Sequence, residues 1–512
     1  MLFRDGAGGS AGLPSHHTLY SLRTGVTARR AAWWSERARS RRGGRTIAGM
    51  PDRTRGLSAA AAHAQRFLAS LDGRPVAARA DAAAIRDVLG GALPEHGEDP
   101  EAVIDALAAG ADPGIVASAG PRHFGFVIGG ALPAALAADW LVSAWDQCAA
   151  FHSLSPAAAA IEEVAAQWTL DLLGLPASAS VGFVTGGQGA NTTCLAAARH
   201  AVLARAGWDV ECDGLIGAPR VHVVCGEQAH ATIHTALRLL GLGSETAIGV
   251  RADDQGRMSP AALEETLRGL DGPTIVCAQA GNVATGAFDA FEPIADACAA
   301  HGAWLHVDGA FGLWAAAAPA TRALVHGVER ADSWGVDAHK WLNVPYDCAM
   351  AIVADPDAHR AAMGLAAAYL VADAGQRDST NYVPESSRRA RAVPVYAALR
   401  SLGRDGVAAL VERPCAHARR MAAHLAAIPG ATVVNDVVLN QVLVRLPGDD
   451  DANRAAVAAV QRDGTCWLGG TQWDGQAVMR VSFSNWATTD ADVDRSAAAI
   501  AAAAASVTAI RG

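Results

Sequence analysis

The sequence predicts an α/β protein with a large domain on a mostly parallel sheet and a small α+β domain at the C-terminal end. Three observations carry that expectation. Between residues 181 and 307, short apolar runs alternate with helical stretches at the spacing of strand–helix–strand units. After Pro356 the alternation gives way to a polar stretch, then to a long helical segment and a mixed tail. With 512 residues, 51% of them hydrophobic and 18% charged, the chain can bury two or three cores and is not a disordered protein.

The elements follow in order. Residues 1–49 are rich in Arg, Gly and Ser without an apolar period, and they lack the apolar region of a secretory signal. We read them as a disordered extension, with Met50 as an alternative start. Residues 50–135 form a helical arm, with helical spacing at 57–71, 80–90 and 100–109. The large domain spans 136–385. Its first helix pair includes 156–173, which opens on Ser155-Pro156 and stops at Gly174-Leu175-Pro176. Strands are expected at 181–185, 221–225, 246–250, 274–278, 303–307, 333–336 and 348–353, with helices near 190–206, 230–241, 260–269 and 291–301. Residues 370–388 read as a polar surface loop. The C-terminal domain, 386–512, begins with one long helical stretch at 390–428. Strands follow at 431–434, 441–445 and 477–483, with helices near 451–462 and 490–505.

A net charge of −9 argues against nucleic acid or anionic lipid as the main partner. No apolar run is long and uncharged enough to span a bilayer. The nine cysteines are odd in number and contain no CxxC pair, so neither a metal site nor a disulfide framework is expected, and a reducing cytoplasm is.

The chemistry concentrates in two stretches. Val336-Asp337-Ala338-His339-Lys340-Trp341-Leu342 places a lysine in an apolar setting just past a strand. An ammonium is costly to bury, and a buried lysine amine is suited to forming a Schiff base with an aldehyde cofactor. Trp304-Leu305-His306-Val307-Asp308 is an apolar strand that ends on a carboxylate. A pyridoxal-phosphate site needs both parts: a lysine for the imine and an acid beside the pyridinium nitrogen. A third stretch, Thr185-Gly186-Gly187-Gln188-Gly189, is a glycine-rich strand-to-helix turn of the kind whose N–H groups hold a phosphate. The plainer alternative for Lys340 is a buried strand lysine paired with a nearby aspartate.

Over roughly residues 100–500 these motifs resemble the group II pyridoxal-phosphate-dependent decarboxylases, which include aromatic-amino-acid and glutamate decarboxylases. The resemblance implies the fold type I, transferase-like architecture, a homodimer, and bound pyridoxal 5'-phosphate. It implies Lys340 as the imine lysine, Asp308 at the ring nitrogen, and backbone contacts from Gly187, Gln188 and Gly189 to the phosphate. His230 matches the histidine that stacks on the ring, with Ala310 on the opposite face. His339 faces the phosphate or the substrate carboxylate, and Asn282 holds a position for hydrogen-bonding the cofactor. Asp337 stands where relatives have Asn, and a second anion beside a phosphate is unfavourable. Phe124, Phe126 and Arg480 correspond to substrate contacts, and the apolar pair favours an apolar or aromatic amino acid over glutamate. Relatives return the proton to Cα from a loop tyrosine. At that spacing this chain has Ser379, so Tyr382 is the expected donor, and Tyr382→Phe is expected to cut amine formation. The implied reaction is decarboxylation of an L-amino acid to an amine and CO2. The alternatives are another pyridoxal-phosphate lyase or aldehyde synthase of this fold, and a non-catalytic pyridoxal-phosphate-binding protein.

Overall fold

A computed structural model of the chain describes residues 52–365 and 376–511. The expected N-terminal extension and part of the 370–388 loop lie outside the described residues. Seven strands make the main sheet: β1 (Ser180–Val184), β2 (His222–Gly226), β3 (Ile248–Val250), β4 (Thr274–Gln279), β5 (Trp304–Asp308), β6 (Ser333–Asp337) and β7 (Ala349–Val353). Their order is β1-β7-β6-β5-β4-β2-β3. Strands β2 to β6 pair in parallel, and β7 is antiparallel to both its neighbours.

Side-chain alternation decides which face each residue covers. Val223, Cys225, Ile275 and Cys277 join the core under helix Gly187–Arg205, through Cys194 and Leu195. Their neighbours Val224, Val276 and Ala278 point the other way, onto Phe291 and Ile294 of helix Phe291–His301. Strands β1 and β4 to β7 are buried along their full length, as strands covered on both faces must be. The expected helix start at Ser155 is present, with the Ser155 hydroxyl accepting from Ala158 N at 3.3 Å, and Gly174 ends that helix at φ 67°.

The small domain carries a four-stranded antiparallel sheet, in the order β10-β11-β9-β8, of β8 (Thr432–Val433), β9 (Gln441–Arg445), β10 (Gly469–Trp473) and β11 (Gln476–Ser482). Strand β10 escaped the sequence reading because Gly469-Gly470 suggests a turn. The signal for it was Asp474-Gly475, whose φ values of 47° and 71° make the tight hairpin between β10 and β11. The stretch 390–428 is not one straight helix: Ala392–Ala426 breaks at Gly403, whose φ of 61° and ψ of −176° are non-helical. The expected arm boundary at 135 also shifts. Backbone bonds from Phe124 N to Trp467 O (2.7 Å) and from Ser482 N to Phe124 O (3.0 Å) tie residues 122–124 to the small domain.

Candidate active site

Asp308 ends β5 and is almost fully buried. Its carboxylate accepts from Asn191 Nδ2 at 3.1 Å and from its own turn, Ala310 N, at 3.2 Å. Asn191 comes from the second turn of helix Gly187–Arg205, so the glycine-rich turn that opens this helix also sets the distance to Asp308. The sequence reading passed over Asn191, although it lies in the same motif; an asparagine on a buried helix face was the available signal.

Lys340 follows β6, and its side chain is 24% exposed. It does not stand alone in an apolar wall. Its Nζ lies 2.7 Å from Asp337 Oδ2, and Asp337 is completely buried. His339 Nε2 approaches the other oxygen, Oδ1, at 3.6 Å. Cys348 N donates to His339 Nδ1 at 3.3 Å, which leaves the ring proton on Nε2, facing that carboxylate. Burial holds the His339 imidazole below its ordinary pKa, partly opposed by Asp337. Asp337 is thus the counter-ion of the Lys340–His339 corner. That answers the repulsion expected of an acid beside a phosphate.

His230 caps helix Ala231–Leu239, and its Nδ1 accepts from Thr232 N at 3.3 Å. Burial lowers its pKa, an effect that Asp308 opposes and that Lys340 and Arg480 reinforce, so these four side chains share one electrostatic site. At the start of helix Gly187–Arg205, the N–H groups of Gly187, Gln188 and Gly189 have no acceptor among the described residues. A Cβ on Gly187 would lie 2.8 Å from Asp337 Oδ2 and 3.6 Å from Ala310 Cβ, so glycine keeps this corner open. Arg480, on β11, reaches across to the large domain and donates to Val283 O at 3.1 Å.

Three expected residues are not brought to this point. Asn282 turns inward: its Oδ1 accepts from Ala284 N at 2.8 Å and Thr285 N at 3.2 Å, closing its own turn. Phe124 is core of the small domain, its ring tilted against Phe483 with centroids 4.7 Å apart. Tyr382 lies outside β1, where its backbone closes on Gly182. Its ring covers the Arg377 guanidinium at 4.3 Å and meets the His359 ring edge-on at 5.3 Å. Arg377 and Arg388 in turn converge on the buried Glu162, at 3.2 and 2.8 Å, and that ion cluster holds the chain after residue 375 against the large domain. Phe126 is 63% exposed with φ 54°, stacked on Trp467 at 5.9 Å. Tyr346, which no motif in the sequence singles out, packs its ring 4.4 Å from His339.

A lysine and a buried carboxylate at the ends of adjacent parallel strands, beside an open row of helix N–H groups, form a site for an aldehyde cofactor that carries a phosphate. The donor set fits pyridoxal phosphate: free N–H groups for its phosphate, Asp308 for its ring nitrogen, and Lys340 for its aldehyde. The pyridoxal-dependent decarboxylase conserved domain matches residues 84–447, and the chain belongs to that family of pyridoxal-phosphate-dependent carboxy-lyases. The aromatic-L-amino-acid decarboxylase of Bacillus atrophaeus is 27% identical over 82% of this chain and 88% of its own length. The L-2,4-diaminobutyrate decarboxylase of Rhizobium meliloti is 33% identical over 69% of this chain and 71% of its own. The crystal structure of Rhodiola rosea 4-hydroxyphenylacetaldehyde synthase superposes with a TM-score of 0.79 at 25% identity, covering 89% of this chain and 99% of that one.

Proposed function

We propose that this chain decarboxylates an L-amino acid with an apolar or aromatic side chain, releasing CO2 and the amine. The observation that carries the reading is the meeting of Lys340, Asp308, His230 and the open N–H groups of residues 187–189 at one end of the sheet. Bound pyridoxal phosphate supplies an aldehyde for amine exchange and a protonated ring that draws electrons from the substrate Cα. Lys340 would hold the cofactor through its amine. Asp308 would accept from the ring nitrogen and keep its proton there. Neutral His230 would lie beside the ring and offer its Nε2–H to the substrate carboxylate. Arg480, which gives one of its five N–H donors to Val283 O, is the cation available to orient that carboxylate. Phe126 is the aromatic wall on offer to the substrate side chain.

A second reading has support in Tyr382. With its ring on Arg377, the Tyr382 phenol points away from the site, and Ser379, at the expected tyrosine spacing, is buried against Arg377 Nη1 at 3.3 Å. An outcome in which dioxygen and water are consumed and the aldehyde, CO2, ammonia and hydrogen peroxide are formed then competes with amine formation; the Rhodiola rosea relative is an aldehyde synthase by name. Incubation with single amino acids, following CO2, amine, aldehyde and ammonia together, separates the two. CO2 with a stoichiometric amine supports the first reading; aldehyde with ammonia supports the second; no CO2 from any amino acid sinks both.

We also infer a homodimer in a reducing cytoplasm. The exposed Trp140, Leu141 and Trp145 on one helix, and arm helices Leu57–Ser70 and Ala82–Leu89 with no buried residue, leave apolar surface for a second copy. The nine cysteines are all free thiols. Among the described residues no helix is long and apolar enough to cross a membrane. Light scattering tests the dimer, and a monomer mass at micromolar concentration overturns it.

A further inference from the structure

We propose that Asn191 is a positioning residue that holds Asp308 as a hydrogen-bond acceptor and, through Thr232 Oγ1, adds a second donor to His230 Nδ1 beside the Thr232 N–H, braced from behind by a relay through His306, Ser333 and Trp304. The idea deepens the cofactor reading above and rests on it for its consequence in catalysis, though not for its geometry.

The orientation of Asn191 follows from what its neighbours can do. A carboxylate accepts only, so the group facing Asp308 Oδ2 at 3.1 Å is the amide nitrogen. The same nitrogen donates its second hydrogen to Thr232 Oγ1 at 3.0 Å. Asn191 Oδ1 is then an acceptor, and the group 3.1 Å from it, His306 Nε2, must carry the hydrogen. With Nε2 protonated, the neutral His306 ring accepts at Nδ1 from Ser333 Oγ at 3.0 Å, and Ser333 Oγ accepts from Trp304 Nε1 at 2.9 Å. Burial holds His306 at a pKa of about 4, so the ring is neutral across the working range. On the other branch, Thr232 Oγ1 accepts from Asn191 and so turns its own hydrogen to His230 Nδ1, 2.9 Å away. The His230 proton is left on Nε2.

Every hydrogen in this network therefore points one way, toward Asp308 or toward His230, with Asn191 as the only branch point. A chain of donors polarised in one sense strengthens its last bond. Charge-assisted donation from Asn191 holds the Asp308 carboxylate in place as an acceptor for the ring nitrogen it would face. The same hub adds Thr232 Oγ1 to the Thr232 N–H as donors to His230 Nδ1, so that His230 presents its Nε2–H to an incoming carboxylate. Asn191 touches neither cofactor nor substrate. Its role is exercised through Asp308 and Thr232.

The test uses the full chain labelled with 15N-histidine, with and without pyridoxal phosphate. In the cofactor-free wild type, His306 and His230 should both show an unprotonated Nδ1 and a protonated Nε2 between pH 6 and 8. In Asn191→Ala, Thr232 Oγ1 loses its donor and is free to turn away, so the His230 Nδ1 resonance should shift while the Thr232 N–H keeps the Nε2–H tautomer. The loaded variant should lose roughly ten- to a hundred-fold in kcat, the worth of a charge-assisted bond, with KM changed less than about twofold. Ser333→Ala removes one oxygen remote from the site and serves if Asn191→Ala does not fold: His306 should keep its Nε2–H on Asn191 while its Nδ1 resonance shifts on losing the Ser333 donor, with a smaller fall in kcat. A protonated His306 Nδ1 in the wild type, or an unchanged His230 signature in Asn191→Ala, overturns the proposal; if Asn191→Ala does not fold, an unchanged His306 signature in Ser333→Ala does so. A wild-type chain that takes up no pyridoxal phosphate sinks the cofactor reading instead, and that failure is read on a different sample.

Discussion

The floor of the site and its wall are built differently. At the floor, Asp308, Asn191, His306 and Ser333 commit their polar atoms to one another inside the sheet. At the wall, Phe126 lies largely in solvent, Arg480 reaches over from the other domain on one hydrogen bond, and Tyr382 is packed away on Arg377. A committed floor can hold one cofactor in one pose, because every donor has a single acceptor. A sparsely committed wall specifies the substrate side chain less tightly than the floor specifies the cofactor. The cofactor chemistry is therefore the better-defined half of the site.

The sharpest way to break that contrast is at the floor. Lys340→Ala should abolish the visible band of bound cofactor and lower amine formation by roughly 10^4-fold or more, measured by absorbance and product assay. The joint between floor and wall comes next. Glu162→Gln leaves Arg388 and Arg377 facing an uncharged partner in a buried pocket, and should destabilise the chain by about 3–5 kcal/mol in urea unfolding.

The floor should also impose a pH dependence. Burial depresses His123 and His306 to about 4 and His359 to about 3, from the ordinary 6.5. The unfolded chain binds these protons first as pH falls. The stabilising contribution is therefore whole above pH 6.5 and is lost on acidification toward the folded values, at up to about 1.4 kcal/mol per pH unit for each histidine. Urea midpoints at pH 7, 6 and 5 should drop accordingly, and the slope should lessen in His306→Gln.

At the wall the effects should be smaller. Arg480→Met should raise KM about tenfold with less change in kcat, as for a lost carboxylate contact. An unchanged KM would remove Arg480 from recognition. Smallest of all is Tyr382→Phe. Because the ring lies on Arg377, the ratio of amine to aldehyde should stay within about twofold of wild type, whereas the sequence alone suggested a large loss. A large loss would mean that the 376–391 stretch rearranges, or that Tyr382 serves the partner's site.

Much of the fold was legible because its signals are local. Strands β4 to β7 are short apolar runs set off by helical stretches or turns, and helix 156–173 carries both a serine cap and a glycine stop. The misses have local causes as well. Gly469-Gly470 hid β10, and a side-chain pattern does not reveal a backbone break such as that at Gly403. At the site, Lys340 and Asp308 stood out because charged residues at the ends of apolar runs are conspicuous. Asn282 misled because an asparagine that closes its own turn reads the same in sequence as one that faces a ligand.

What the sequence determined by itself was the type of chemistry: a lysine and an acid at strand ends and a glycine-rich helix start, each fixed by residues within a few positions. Tertiary structure alone decided their partners. Asn191 lies 117 positions from Asp308 and reaches it only because the helix packs on the sheet. Phe124 and Tyr382 were claimed by the small-domain core and by Arg377. Contacts across such separations depend on how layers pack, and a one-dimensional pattern does not carry that information.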